Sequence, residues 1–228
     1  MPDSSLVVPS EGTTSGPAQV RVEIFVDGSN FHPSTESAGI EHPVAFGRLA
    51  TELTSAVGGT VLVGLHYVAG AYPEPRDNDP RMEPGEYHAR LGRKRSTDQL
   101  YNRIAQEPGV KVWRERFVYR TPDEKDSRPI VEKGADVRLA LLMYEGAVHD
   151  RYDVGVLVAS DADFGPAVEM VRALGKRVVW ACTATHRAVK ALVRKGAEPF
   201  EMTADFLERC RYVPSTPTGK ARGIKGRV

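Results

Sequence analysis

The chain has only two cysteines among its 228 residues, Cys182 and Cys210. They lie far apart and lack metal-ligand spacing, so the expectation is two reduced thiols in a cytosolic protein rather than a disulfide framework. Long apolar runs are missing too, and no stretch approaches the roughly 20 residues that cross a bilayer. The first residues, Met1 to Gln19, have neither the basic start nor the apolar centre of a secretory signal. A soluble, cytoplasmic protein without membrane partners is expected. Neither G-x-G-x-x-G nor a Walker A loop occurs, which disfavours a nucleotide cofactor. Charge of one sign is scarce overall, with a formal net of only +1.

That balance hides an uneven distribution. Between His88 and Arg120 nine basic residues face three acids, a local net of +6, and Arg209 to the end holds six basic residues and no acid. Such patches suit a polyanion; solvated faces and a basic tail are the plain alternative. The hydrophobic fraction is 41% and the charged fraction 27%, ordinary for a globular protein. Residues 1–20, rich in Ser, Pro, Gly and Thr, are expected to be a disordered tail. One domain is expected over 21–210, followed by a basic tail over 211–228.

Inside the domain, strands are expected at Val20–Val26, Thr60–Ala69, Val110–Tyr119, Tyr152–Ala159, Arg177–Cys182 and Glu198–Met202. Helices are expected at Val44–Val57, Glu86–Gln106, Gly134–His149, Phe164–Leu174, Arg187–Lys195 and Ala204–Cys210. Asp27 to Asn30 reads as a break, and 72–85 and 121–129 as loops. Alternating strands and helices at this spacing predict an α/β domain with a central, mostly parallel sheet and helices on both faces. Ligands of such sheets bind beyond the carboxyl ends of the strands, where strand order reverses.

Two strands deliver acids to that edge. Asp27 follows the first, and Asp161 and Asp163 follow the strand 152–159. Singly, each has a plain reading as a turn or helix-cap residue. Asp136 adds weight. By helical periodicity it falls on the stripe of Ala140, Met143 and Ala147, opposite Arg138, so it is expected on the buried side. A buried carboxylate needs a partner, either a shared cation or a salt bridge to Lys133 or an arginine. Several carboxylates without His or Cys suit a hard cation, Mg²⁺ or Mn²⁺. The chemistry expected of such a site is metal-assisted phosphodiester hydrolysis, with Asp27, Asp136, Asp161 and Asp163 as catalytic metal ligands. Asn30 and Ser160 are placed to hold those carboxylates by hydrogen bonds, or simply to stabilise their turns.

FVDGSNF (25–31), EKGADVRLAL (132–141) and LVASDADF (157–164) occur in this order. They resemble the three signature blocks of the NYN domain family, the LabA-type relatives of the PIN-domain nucleases. The resemblance spans roughly Arg21 to Met202. It implies a single PIN-like, Rossmannoid fold, Mg²⁺ or Mn²⁺ at an acidic pocket, and ribonuclease activity, with the family's acids falling on Asp27, Asp136, Asp161 and Asp163. Lys133-Gly134 stands where the family commonly has Lys-Gly. Leu142, however, stands about where many relatives carry a further acid, which favours the alternative of a weak or inactive module that binds RNA or protein.

Arg90, Arg93, Lys94, Arg95 and Lys133 are the candidates to grip a phosphate backbone. Single-stranded RNA is the favoured partner, with DNA left open. Trp113, Phe117 and Tyr119 could stack on bases, although packing suits most of them better. His32 is expected at the surface and His66 as a satisfied sheet residue. Thr183, Thr185 and His186, beyond a strand end, could touch a ligand.

Overall fold

The computed structural model describes residues 19–75, 85–119, 130–183 and 189–214. Most of the regions read as tails, most of both polar loops, and Thr185 and His186 lie outside the described residues; Arg211, expected in the basic tail, bridges Val44. Strands β1 (Arg21–Asp27), β2 (Val61–Ala71), β3 (Val110–Tyr119), β5 (Val154–Val158), β6 (Arg177–Cys182) and β7 (Glu198–Glu201) are parallel, and β4 (Ile130–Lys133) runs antiparallel to β3. The seven-stranded order is β4-β3-β2-β1-β5-β6-β7. This is the expected single α/β domain with a central, mostly parallel sheet. The chain winds outward from β1 through β2 and β3, then restarts at β5 on the other side of β1. Strand order therefore reverses between β1 and β5, and the crevice above those two strands is where ligands of such sheets bind.

β1 explains why the sheet is central. Val22, Ile24 and Val26 enter one apolar layer and Phe25 the other, so both faces are covered, and Glu23 is buried with His66 as its partner. The first layer packs beneath α1 (Gly28–Ser37), α2 (Phe46–Ala56), α3 (Glu86–Ile104) and α7 (Ala204–Arg209). The second packs beneath α4 (Ala135–Val148), α5 (Gly165–Ala173) and α6 (Val189–Arg194). Both edge strands are only four residues long, which limits pairing with other chains.

Two elements depart from the sequence expectation. Where a break was expected, α1 begins immediately after β1, because the Asp27 carboxylate caps it. Pro33 and the Ser/Thr-rich sequence concealed this helix. Its entry also needs Gly28, since a Cβ there would lie 2.3 Å from Cζ of Tyr67. The second departure is β4, a short strand between an expected loop and an expected helix. It makes β3 an interior strand rather than an edge.

No helix of the described residues is long and apolar enough to cross a membrane. Both cysteines are free and buried, and burial pushes their thiols up to about 11 for Cys182 and about 12 for Cys210. They are packing residues, with little thiolate available at neutral pH.

Candidate active site

Asp27 is the last residue of β1 and is 3% exposed. One carboxylate oxygen, Oδ1, accepts the backbone N–H groups of Ser29 and Asn30, each at 3.1 Å. The other, Oδ2, accepts from the Asn30 side-chain amide. Asn30 thus holds a candidate ligand in the way expected of it. Even so, burial raises the Asp27 pKa, against the opposing hydrogen bonds, and the charge of Asp136 adds to the rise.

Asp136 lies in the first turn of α4, which follows Gly134 in a left-handed conformation (φ 95°). The expectation that Asp136 faces the core is wrong. The buried stripe consists of Ala135, Leu139, Leu142, Met143, Gly146 and Ala147, and Asp136 stands open beside it. Ala135, in the same first turn, is buried, so the covered side of the helix ends between these two neighbours, a boundary that periodicity alone does not give. Asp136 remains crowded: partial burial first, then the charges of Asp161 and Asp163, raise its pKa.

Asp161 follows β5 and caps a short 3-10 turn, Ala162–Phe164, by accepting the Asp163 N–H at 2.9 Å. The capping role considered for Asp163 belongs to Asp161, and Asp163 is exposed. Ser160 does not touch the acids directly. Its hydroxyl pairs with that of Ser34 at 2.8 Å, and Ser34 donates to the Asn30 carbonyl at 2.7 Å, which ties the end of β5 to the Asp27 turn.

A fifth acid, Glu132, went unnoticed in the sequence. It sits on β4 and accepts from the Ser29 hydroxyl and from Gly70 N–H at 3.2 Å. Its pKa is raised by burial, with the charges of Asp27 and Asp136 adding to that. Glu132 stands inside the second signature block, but its link to Asp27 runs through a strand pairing that the sequence did not disclose.

Asp27, Glu132, Asp136, Asp161 and Asp163 thus form a chain of mutually repelling carboxylates drawn from separate elements around the β1–β5 crevice. The charges that raise Asp27, Glu132 and Asp136 are those of other acids of the same group. The donor set, all carboxylate oxygen, has the chemistry a hard divalent cation requires. The acids do not form a closed coordination shell. Among the described residues, no group of three or more His, Cys, Asp or Glu side chains could hold a metal ion as it stands.

The basic candidates divide. Arg90 is 4% exposed and bound to Glu86 at 3.0 Å, so its guanidinium neutralises its own helix and is withdrawn from any ligand. Lys94 pairs with Asp98 at 2.6 Å and Glu74 at 3.3 Å. Arg93, Arg95 and Lys133 are exposed. His32 is half-buried rather than superficial, 3.2 Å from the Tyr67 hydroxyl, and burial lowers its pKa. Thr183 is buried and donates to the Ser34 carbonyl at 3.3 Å.

Away from the acids, His66 is the satisfied sheet residue expected. The Trp113 indole N–H, a donor only, points at His66 Nδ1 at 3.0 Å, so Nδ1 accepts and Nε2 carries the proton toward Glu23 at 2.9 Å. Trp113 is thereby committed to packing rather than to base stacking. Leu142 is buried in the apolar layer under α4.

The fold and this rim of acids define a PIN-like α/β domain with an acidic crevice. The chain belongs to the NYN domain family, whose model matches residues 21–200. Among solved structures it is similar to a protein of unknown function from Vibrio parahaemolyticus. The two share 18% identity at a TM-score of 0.53, covering 85% of this chain and 99% of that one. A flap endonuclease of bacteriophage T5, solved with DNA and metal ions, is more distant. It shows 14% identity at a TM-score of 0.33, covering 64% of this chain and 50% of that one. No curated protein matches the chain.

Proposed function

We propose that this chain is a divalent-metal-dependent nuclease that hydrolyses single-stranded RNA, with Asp27, Asp136, Asp161 and Asp163 as its metal-binding acids. The observation that carries the reading is the crowding of acids from β1, β4, α4 and the end of β5 at the strand-order reversal, where burial and neighbouring acids raise the pKa of Asp27, Glu132 and Asp136. Like charges held together repel one another, and a hard cation bound among them relieves that repulsion. Bound there, Mg²⁺ or Mn²⁺ would supply an acidified water and offset charge growing on a phosphodiester oxygen.

The chain's own residues account for the rest. Asn30 and the turn N–H groups fix the orientation of Asp27. Glu132 fixes Ser29 from the other side. Asp136, open to solvent, faces an incoming ligand. Lys133, Arg93 and Arg95 are exposed and cationic, suited to phosphate contacts. The family resemblance favours RNA over DNA.

Labelled single-stranded RNA and DNA of matched sequence, incubated with Mg²⁺ or Mn²⁺ and with EDTA, test the proposal. RNA cleavage that EDTA stops, and that Asp27→Asn and Asp136→Asn lose, is the expected outcome. Equal cutting by wild type and Asp27→Asn would trace the activity to a contaminant. A second reading, a binding module without turnover, draws on the open arrangement of the acids and on the apolar Leu142. It predicts RNA binding that is indifferent to both substitutions and to metal.

A further inference from the structure

The outer surface of α4 does not look like a solvent face. Val137 is 63% exposed, Leu141 58% and Val148 50%. With half-buried Tyr144 between them they are spaced four, three and four residues apart, which at 100° per residue keeps all four within one narrow stripe. This is the spacing of a helix seam that packs on another helix. On the neighbouring α5 and its C-cap, Met170 and Leu174 are 49% and 43% exposed and extend the apolar surface to one side. Single exposed apolar residues need no explanation, but a continuous face of them marks an interface.

We infer that this face pairs with the same face of a second copy of the chain, α4 antiparallel to α4, about a two-fold axis. The stripe reads the same in both directions. In an antiparallel pair Val137 falls opposite Val148 of the second copy, and Leu141 opposite its Tyr144. A two-fold interface has to be self-complementary in this way. The flanks agree as well. Arg138 and Glu145 are seven residues apart on the flank toward β3; within the chain they pair with Glu115 at 2.7 Å and with Arg151 at 3.6 Å, and both side chains stay about half exposed. Antiparallel pairing about a two-fold axis sets each flank against its own copy reversed, so each Arg138 meets a Glu145. The opposite flank sets Met170 and Leu174 against themselves. A parallel pairing about a two-fold axis would instead set the Arg138–Glu145 flank against the Met170–Leu174 side of the second copy, which gives those charges no opposite charge across the pair.

Sedimentation of the full chain over a concentration series is the test, with three variants at exposed positions whose folding circular dichroism can verify. Wild type should be a dimer, and Leu141→Glu should weaken it at least about tenfold, as loss of a central anchor does. Glu145→Arg alone and Arg138→Glu alone should each be mostly monomeric, because each places like charges across the pair. Mixed together, those two should recover a heterodimer. A wild type that stays monomeric up to about 100 µM, a dimer indifferent to Leu141→Glu, or a mixture that fails to pair would overturn the assignment. Monomeric behaviour would reassign the face to a different partner.

Discussion

Asp27 does two things that two substitutions can separate. It caps α1, and it carries charge into a crowded acidic crevice. Asn caps a helix about as well as Asp does, whereas Ala loses about 0.5–2 kcal/mol. Asp27→Ala also strands the Asn30 amide that now meets Oδ2. A loss of about 1–2 kcal/mol for Asp27→Ala corresponds to a Tm lower by about 2–8 °C in a domain of this size. Asp27→Asn keeps the cap once the Asn30 amide turns over, and it removes a charge the fold holds at a cost.

The sign of the pH effect follows from the raised pKa of Asp27. Its contribution to stability is complete below the unfolded-chain value near 4 and is lost as pH rises through the folded value. In EDTA, then, wild type should lose ground to Asp27→Asn between pH 4 and pH 7.5, and Mg²⁺ should return it to wild type alone. Thermal melts of wild type, Asn and Ala at three pH values, with and without metal, measure all of this. Cleavage should fall at least about 100-fold in both variants, about 2.7 kcal/mol in barrier. If Asn melts as low as Ala, or if its gap to wild type ignores pH, the cluster is not strained by charge and the reasoning fails.

Three further outcomes are expected. Glu132→Gln keeps an acceptor for Ser29 and Gly70 and should retain most activity, while Glu132→Ala loosens the Asp27 turn and lowers kcat about tenfold or more; a Gln variant as impaired as Ala would make the Glu132 charge itself essential. His66→Ala takes one partner from Glu23, which keeps Arg151, and the acceptor from the Trp113 indole, at a cost of about 1–3 kcal/mol visible in urea unfolding, with cleavage per folded molecule unchanged at low temperature. Arg95→Ala should weaken RNA binding and flatten its salt dependence by about one ion, whereas Arg90→Ala should cost about 1.5–3 kcal/mol of stability and leave affinity in place.

Local chemistry in the sequence determined most of the fold. Strand-like segments such as VRVEIFV and YDVGVLVA alternate with helical ones, and that order fixed the βαβ series. The same reading placed Asp27 and Asp161 at strand ends, because a strand's direction decides which end its last residue occupies. Where local signals conflict, the sequence was silent or misleading. A Pro and several Ser and Thr hid α1, whose first turn depends on one side-chain cap. The short β4 exists only because β3 offers it an edge.

Tertiary structure alone decided the rest. Glu132 joins the acids because β4 folds back on β3 and carries it to Ser29 and Gly70. Asp136 is exposed although Ala135 beside it is buried, a layer boundary that periodicity does not encode. Arg90 is spent on Glu86, although it reads like its exposed neighbours. A residue's type and spacing fix what it can do; its neighbours from distant parts of the chain fix its charge state, its partners and its access to a ligand.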